Sequence, residues 1–289
     1  MMLILDATLA QLETAQLVRH VAEEEPAYIF KHVLTQDAAY QSLLLKQRRA
    51  LHTLVAQTIE TLYPDQLDEY FAILARHYAN AGDDPKSCAY SIYAGDVAMR
   101  LSALVEARWH FNNALEILTR LPNDPANQAR WLMTLIKLAN ASAFAEDPAR
   151  NVERLVQAEA LATSLSEAQP SFRQQLAQVY YWRGFICLMQ NQTRATIRFY
   201  RQAQILAQEI HDEPLAAQTA FDTGVVLNVQ GRFGEAEPMI AASIVLMEKA
   251  GKPLEDVIAL AQWGVALAGR GHYAQGLAQA EHSLSRVKA

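Results

Sequence analysis

From Gln178 to Ala289 the apolar positions follow a helical period, and the whole pattern repeats every 40 residues. Three glycines, Gly184, Gly224 and Gly264, hold that spacing, each inside a segment that otherwise reads as amphipathic helix. Turn signals at Asn191, Gly231 and Gly271 hold it too, as do small side chains at Thr196, Ala236 and Gly276 and again at Ala203, Ser243 and Ser283. Glycine inside a helix costs about 1 kcal/mol against alanine. Its return at one phase therefore asks for a packing reason, which the close approach of a partner helix supplies. The spacing predicts an all-α array of antiparallel helical hairpins, with the three glycines as contact points between paired helices. A period of 40 residues is longer than the ~34 of the tetratricopeptide (TPR) unit. The excess is expected in longer helices or in the links near 208–214 and 248–254.

Upstream, residues 6–16 predict a short helix, and residues 17–21 and 28–31 predict two strands around the acidic turn Glu23, Glu24, Glu25 and Pro26. Asp37 to Tyr63 predicts one helix, ended by Pro64. Its Lys46, Arg48, Arg49 and His52 read as a solvated basic face, with a phosphate or acidic partner as the functional alternative. Asp68–Gly82 and Pro85–Ala98 predict a hairpin, and Val97–Leu121 a further helix with Ala107, Phe111 and Ala114 at core spacing. Residues 121–125, with two prolines, form the clearest break before a pair at 126–145 and 148–166.

The run YIFKHVLTQDAAYQSLLLKQRRALHTLVAQTIETLY, followed by LARHYANAGDDPKSCAYSIYAGDVAMRLSALVEARWHFNNALEILTRLP, resembles a junction in large bacterial signalling proteins. These are the STAND-type ATPases, often associated with adenylate or guanylate cyclase domains, in which a P-loop ATPase and a winged helix lead into TPR-like repeats. The resemblance covers about residues 8 to 122, through FKH, QDAAY, RRALH, ARHY and YAGD. It implies a TPR-like right-handed superhelix preceded by the end of a winged-helix domain. The expected organisation is a winged-helix remnant with a β-hairpin at 1–36, helical repeats matching the family at 37–122, and TPR-like repeats at 123–289. The phosphate cradle GxxxxGK[ST] does not occur, and Gly251-Lys252 is followed by Pro253. Neither ATPase nor cyclase activity carries over.

Composition narrows the chemistry. Hydrophobic residues make up 51% of the 289 positions and the formal net charge is −6, which counts against a nucleic-acid partner. The chain has no secretory leader pattern and no apolar run near membrane-spanning length, so the sequence predicts a cytoplasmic protein without a membrane partner. The two cysteines, Cys88 and Cys187, have no metal-ligand spacing, and the eight histidines form no HExxH or HxH pair. No catalytic residue, metal ligand or cofactor is assigned.

What remains is binding. Aromatic residues gather in the first 40-residue unit and just beyond it: Tyr180, Tyr181, Trp182, Phe185, Phe199, Tyr200 and Phe221. In a right-handed stack the first helix of each unit faces the concave side, which places Tyr181, Phe185, Met189, Phe221 and Val225 as candidate partner-binding residues. Packing within and between repeats is the alternative role for the same side chains. The expected function is a non-catalytic scaffold or sensor region that holds a protein or peptide segment. A small-molecule effector domain, as in maltose-activator-like regulators, is the rival. Leu277, Leu284 and Val287 are expected to leave an apolar face on the last repeat for self-association.

Overall fold

A computed structural model describes residues 2–21, 27–145, 148–249 and 253–287. The described residues contain fourteen α-helices and one two-stranded sheet. The order begins α1 (Met2–Thr14), β1 (Val18–Val21), β2 (Ala27–Phe30), α2 (Val33–Ser42), α3 (Leu45–Leu62), α4 (Leu67–Ala81) and α5 (Asp84–Arg100). It continues α6 (Leu104–Leu118), α7 (Pro125–Ser142), α8 (Pro148–Ala168), α9 (Arg173–Met189), α10 (Thr193–Glu209) and α11 (Glu213–Val229). The last three are α12 (Phe233–Lys249), α13 (Pro253–Gly269) and α14 (Tyr273–Val287). The strands pair antiparallel, Val18 opposite Phe30 and Val21 opposite Ala27. The acidic turn between them falls outside the described residues.

Two expectations of a single helix are corrected. The segment 37–63 is broken at Leu43 and Leu44, whose ψ values of 140° and 147° are extended. The backbone N–H of Leu44 is met by the Gln47 side chain at 3.0 Å, so a new helix begins there. The segment 97–121 is broken before Leu104, with Ser102 at φ 58°. In both places the apolar period runs across a short break to which periodicity is blind.

The chain forms two compact units, residues 1–90 and 91–289, with the division inside α5. In the first, α3 and α4 pack together around Ala56, Leu74 and Tyr78. Lys86 ties the same unit together, donating to Tyr78 Oη at 2.7 Å and to both Glu60 carboxylate oxygens at 3.1 Å. In the second unit Ala107, Phe111 and Ala114 are fully buried.

The 40-residue units correspond to the pairs α9–α10, α11–α12 and α13–α14, and consecutive helices from α8 to α14 pack on one another. Helices α9 to α13 are 17 residues each, so the excess over a TPR unit lies in helix length. The turns at Asn191, Gly231 and Gly271 all have positive φ, at 57°, 71° and 88°. Glycine takes that conformation without a Cβ clash, and asparagine is among the few other residues that tolerate it. The small residues at the two later phases are all buried. A Cβ on Gly184 would lie 2.5 Å from Tyr200 Cδ1, and one on Gly264 would lie 2.8 Å from the carbonyl oxygen of Gly276. Gly95 stands in the same relation to Phe111.

Candidate partner-binding face

Burial singles out one stripe of α11. From Ala216 to Val229 every residue is buried except Gln218, Phe221, Asp222, Val225 and Val229. Steps of three and four place these five on one face of the helix, and over this span the rest of the helix is enclosed. Forty residues earlier, α9 presents Gln178, Tyr181, Trp182, Phe185 and Met189, none of them buried. Forty residues later, α13 presents Ile258, Ala261, Gln262, Val265 and Gly269, again none buried. Three first helices thus offer matching stripes.

Tyr181 and Phe221 are half-buried and lean on the core cluster that contains Tyr200, Ala217 and Ile240. The Tyr181 ring stacks on Tyr200 with centroids 5.7 Å apart and meets Trp182 edge-on at 5.2 Å. Phe185 lies between Trp182, at 5.6 Å, and Phe144, at 5.3 Å, both edge-to-face. Phe144 follows α7 and is 77% exposed. Met189 at 43% and Val229 at 85% exposure share one phase and form the open rim. Val225 lies one turn in from Val229 and is partly exposed. All five candidate residues therefore share the face, with Tyr181 and Phe221 set into its floor and Met189 at its edge.

Polar groups at the junction of α9 and α11 escaped the sequence reading. Gln218 Nε2 donates to Asp222 Oδ2 at 3.0 Å. Tyr181 also interacts with the Asp222 carboxylate through its hydroxyl. Burial raises the Asp222 carboxyl above its ordinary range, and the bonds from Gln218 and Tyr181 oppose that rise. Burial raises the Tyr181 phenol as well, and the neighbouring Asp222 charge adds to it. Tyr200 is fully buried, and its hydroxyl has no hydrogen-bond partner among the described residues. Extending the 40-residue alignment by one position would have found Asp222, which stands at the phase of Trp182 and Gln262.

A second feature belongs to the first unit. A cavity of about 750 Å³ is lined by Phe30, Tyr40, His52, Arg76, His77 and Asn80, among others. Tyr40 Oη lies 3.0 Å from His52 Nε2, and His52 Nδ1 lies 3.0 Å from His77 Nδ1. Burial and the Arg76 charge lower the pKa of His52; burial, His52 and Arg76 lower that of His77. His52 therefore lines a cavity, and Arg48 lies over the Tyr40 ring at 5.2 Å.

Among the described residues no three His, Cys, Asp or Glu side chains are placed to hold a metal ion. Nor is any described helix long and apolar enough to cross a membrane.

No family model matches this chain. An uncharacterised protein of Rhizobium meliloti is 27% identical over 144 residues, which is 48% of this chain and 14% of that protein's length. The chain thus spans a small part of its curated relative. Among solved structures, the apo form of RapI has a TM-score of 0.60 at 10% identity over 70% of both chains. Aspartyl phosphate phosphatase F from Bacillus subtilis has 0.56 at 13% identity, over 98% of this chain and 81% of its own. A Podosopora anserina kinesin light chain with nearly identical TPR-like repeats has 0.53 at 14% identity, over 68% and 92%. At such identities the likeness is one of fold: this chain is a TPR-like array of antiparallel helical hairpins with a small two-stranded sheet near its start.

Proposed function

We propose that this chain is a non-catalytic scaffold that captures a segment of another protein along the face shared by α9, α11 and α13. The observation that carries the reading is the registered line of accessible apolar side chains, Phe185, Val225 and Val265 at one phase, Met189 and Val229 at another. Burial on every other side holds α11 in place, so the face is formed before anything binds and little ordering cost falls on this partner. Helical or extended segments dock on such surfaces through a few apolar anchors.

The test is selection of a random dodecapeptide phage library on the purified chain. Enriched peptides should bind the Val225→Glu/Val229→Glu variant at least about tenfold more weakly, since a charge desolvated under a docked apolar segment is costly. The variant's melting temperature should be unchanged. Failure to enrich any peptide, or indifference to this variant, would overturn the reading.

The wider context we propose is the repeat region of a large signalling ATPase-type protein. Support comes from the motif resemblance over residues 8 to 122 and from a curated relative of which the chain spans 14%. An antibody raised to these repeats that finds only a chain near 32.2 kDa in cells would contradict it.

Self-association through the last repeat has one support. Ile244 is 7% exposed within the core cluster, whereas Leu284, 40 residues on at the same phase, is 56% exposed. A small-molecule effector domain is a second reading, favoured by the cavity with Arg76 and the histidine pair. Small organic acids should then raise the melting temperature of the chain more than that of Arg76→Gln; equal response would end this reading.

A further inference from the structure

Across the stripes of α9, α11 and α13 there is a single charged side chain, Asp222. Gln218 donates to its carboxylate and the Tyr181 hydroxyl acts on it, but both are neutral. Two basic residues on the adjoining helices are engaged elsewhere: Arg183 pairs with Glu159, and both Arg183 and Arg198 lie over the Phe199 ring. Among the described residues no cation pairs with Asp222, and a carboxylate removed from water without one is unfavourable. Asp222 is also not sealed, for it lies on the one accessible stripe of its helix. The Tyr181 hydroxyl acts on the same carboxylate and Phe221 precedes Asp222 on the accessible stripe, and an aromatic face attracts a cation. Beneath the stacked Tyr181 ring the fully buried Tyr200 hydroxyl has no hydrogen-bond partner among the described residues.

We infer that Asp222, framed by Gln218, Tyr181 and Phe221, is the seat for a basic side chain, lysine or arginine, carried by the captured segment. The inference rests on the capture reading above and gives it a register. The equivalent positions on α9 and α13, Trp182 and Gln262, are neutral, so a basic side chain on a segment lying across the three stripes meets one carboxylate there. Apolar anchors on Phe185, Val225 and Val265 would supply area, while the ammonium or guanidinium group on Asp222 would decide which residue of the segment faces α11.

The experiment uses the dodecapeptides enriched on the wild-type chain. They should carry lysine or arginine at a fixed distance from their apolar residues. Replacing that residue by neutral citrulline or norleucine should weaken binding to wild type about tenfold or more, within the range seen for close charge pairs at interfaces. The same replacement should change binding to Asp222→Asn by less than about twofold, with Asp222→Asn melting no lower than wild type. Peptides that depend on Val225 and Val229 but lack a basic residue would overturn the inference and leave the capture reading standing. So would a citrulline penalty equal in wild type and Asp222→Asn. Peptides indifferent to Val225 and Val229 would overturn both.

Discussion

A Cβ placed on Gly224 would lie 2.4 Å from Cγ1 of Ile240, the residue opposite it on α12. Ile240 is fully buried and β-branched, so it has little room or rotamer freedom with which to withdraw. Gly224→Ala should therefore destabilise the chain by about 1–3 kcal/mol through overpacking, although alanine is favoured over glycine in a helix by about 1 kcal/mol. Urea unfolding should show a lower midpoint, and adding Ile240→Ala should recover part of the Gly224→Ala effect relative to Ile240→Ala alone. An additive pair would separate the two residues.

Floor and rim of the proposed face should differ in stability. Tyr181 and Phe221 lean on the core cluster, so replacing either by alanine should cost about 2 kcal/mol or more. Val229→Ser, at a side chain that touches mostly solvent, should leave the midpoint within about 0.5 kcal/mol of wild type. Equal losses at Phe221 and Val229, measured by urea denaturation, would contradict the placement.

Asp222→Asn should gain stability relative to wild type as pH rises. Burial lifts the folded-state pKa of Asp222 above its unfolded value, so the wild-type chain loses stability as pH climbs through the folded pKa, and asparagine has no such loss. The urea midpoint of the variant should exceed that of wild type at pH 7, and the gap should narrow toward pH 4. A gap that widens on acidification would reverse the sign of the shift.

The histidine pair predicts the opposite trend. Folded-state pKa values of His52 and His77 lie below the ordinary histidine value of 6.5. The unfolded chain then binds protons more readily, and stability falls as pH drops through 6.5 toward the lowered values. His77→Gln should flatten the pH dependence of the urea midpoint between pH 7 and pH 5 relative to wild type. An unchanged slope would mean the pair titrates alike in both states.

If the last repeat pairs with a second copy, Leu284→Glu should convert dimer to monomer in sedimentation velocity at micromolar concentration, because a charge would be buried in the contact. A wild-type chain that sediments as a monomer would remove the proposal.

Much of the helical framework was legible in the residues. Gly184, Gly224 and Gly264 gave the period, and the turns at Asn191, Gly231 and Gly271 gave the phase at which each hairpin reverses. That information is local: a positive φ and an apolar stripe are properties of a few neighbouring positions. The breaks at Leu43–Leu44 and before Leu104 were lost for the same reason, since an apolar period runs through a short interruption unchanged. Partners of the glycines, Tyr200, Ile240 and Gly276, were decided only when the second helix of each hairpin folded back. Phe185 and Met189 could be placed on one face of α9, and Val225 at the matching phase of α11, by spacing, but spacing could not tell half-buried Tyr181 from a rim residue, because burial depends on which helices close over it. Asp222 shows the limit most plainly. Its helix phase, four residues after Gln218, was legible along the chain; only three-dimensional packing brought the Tyr181 hydroxyl to it and left it, among the described residues, without a paired cation.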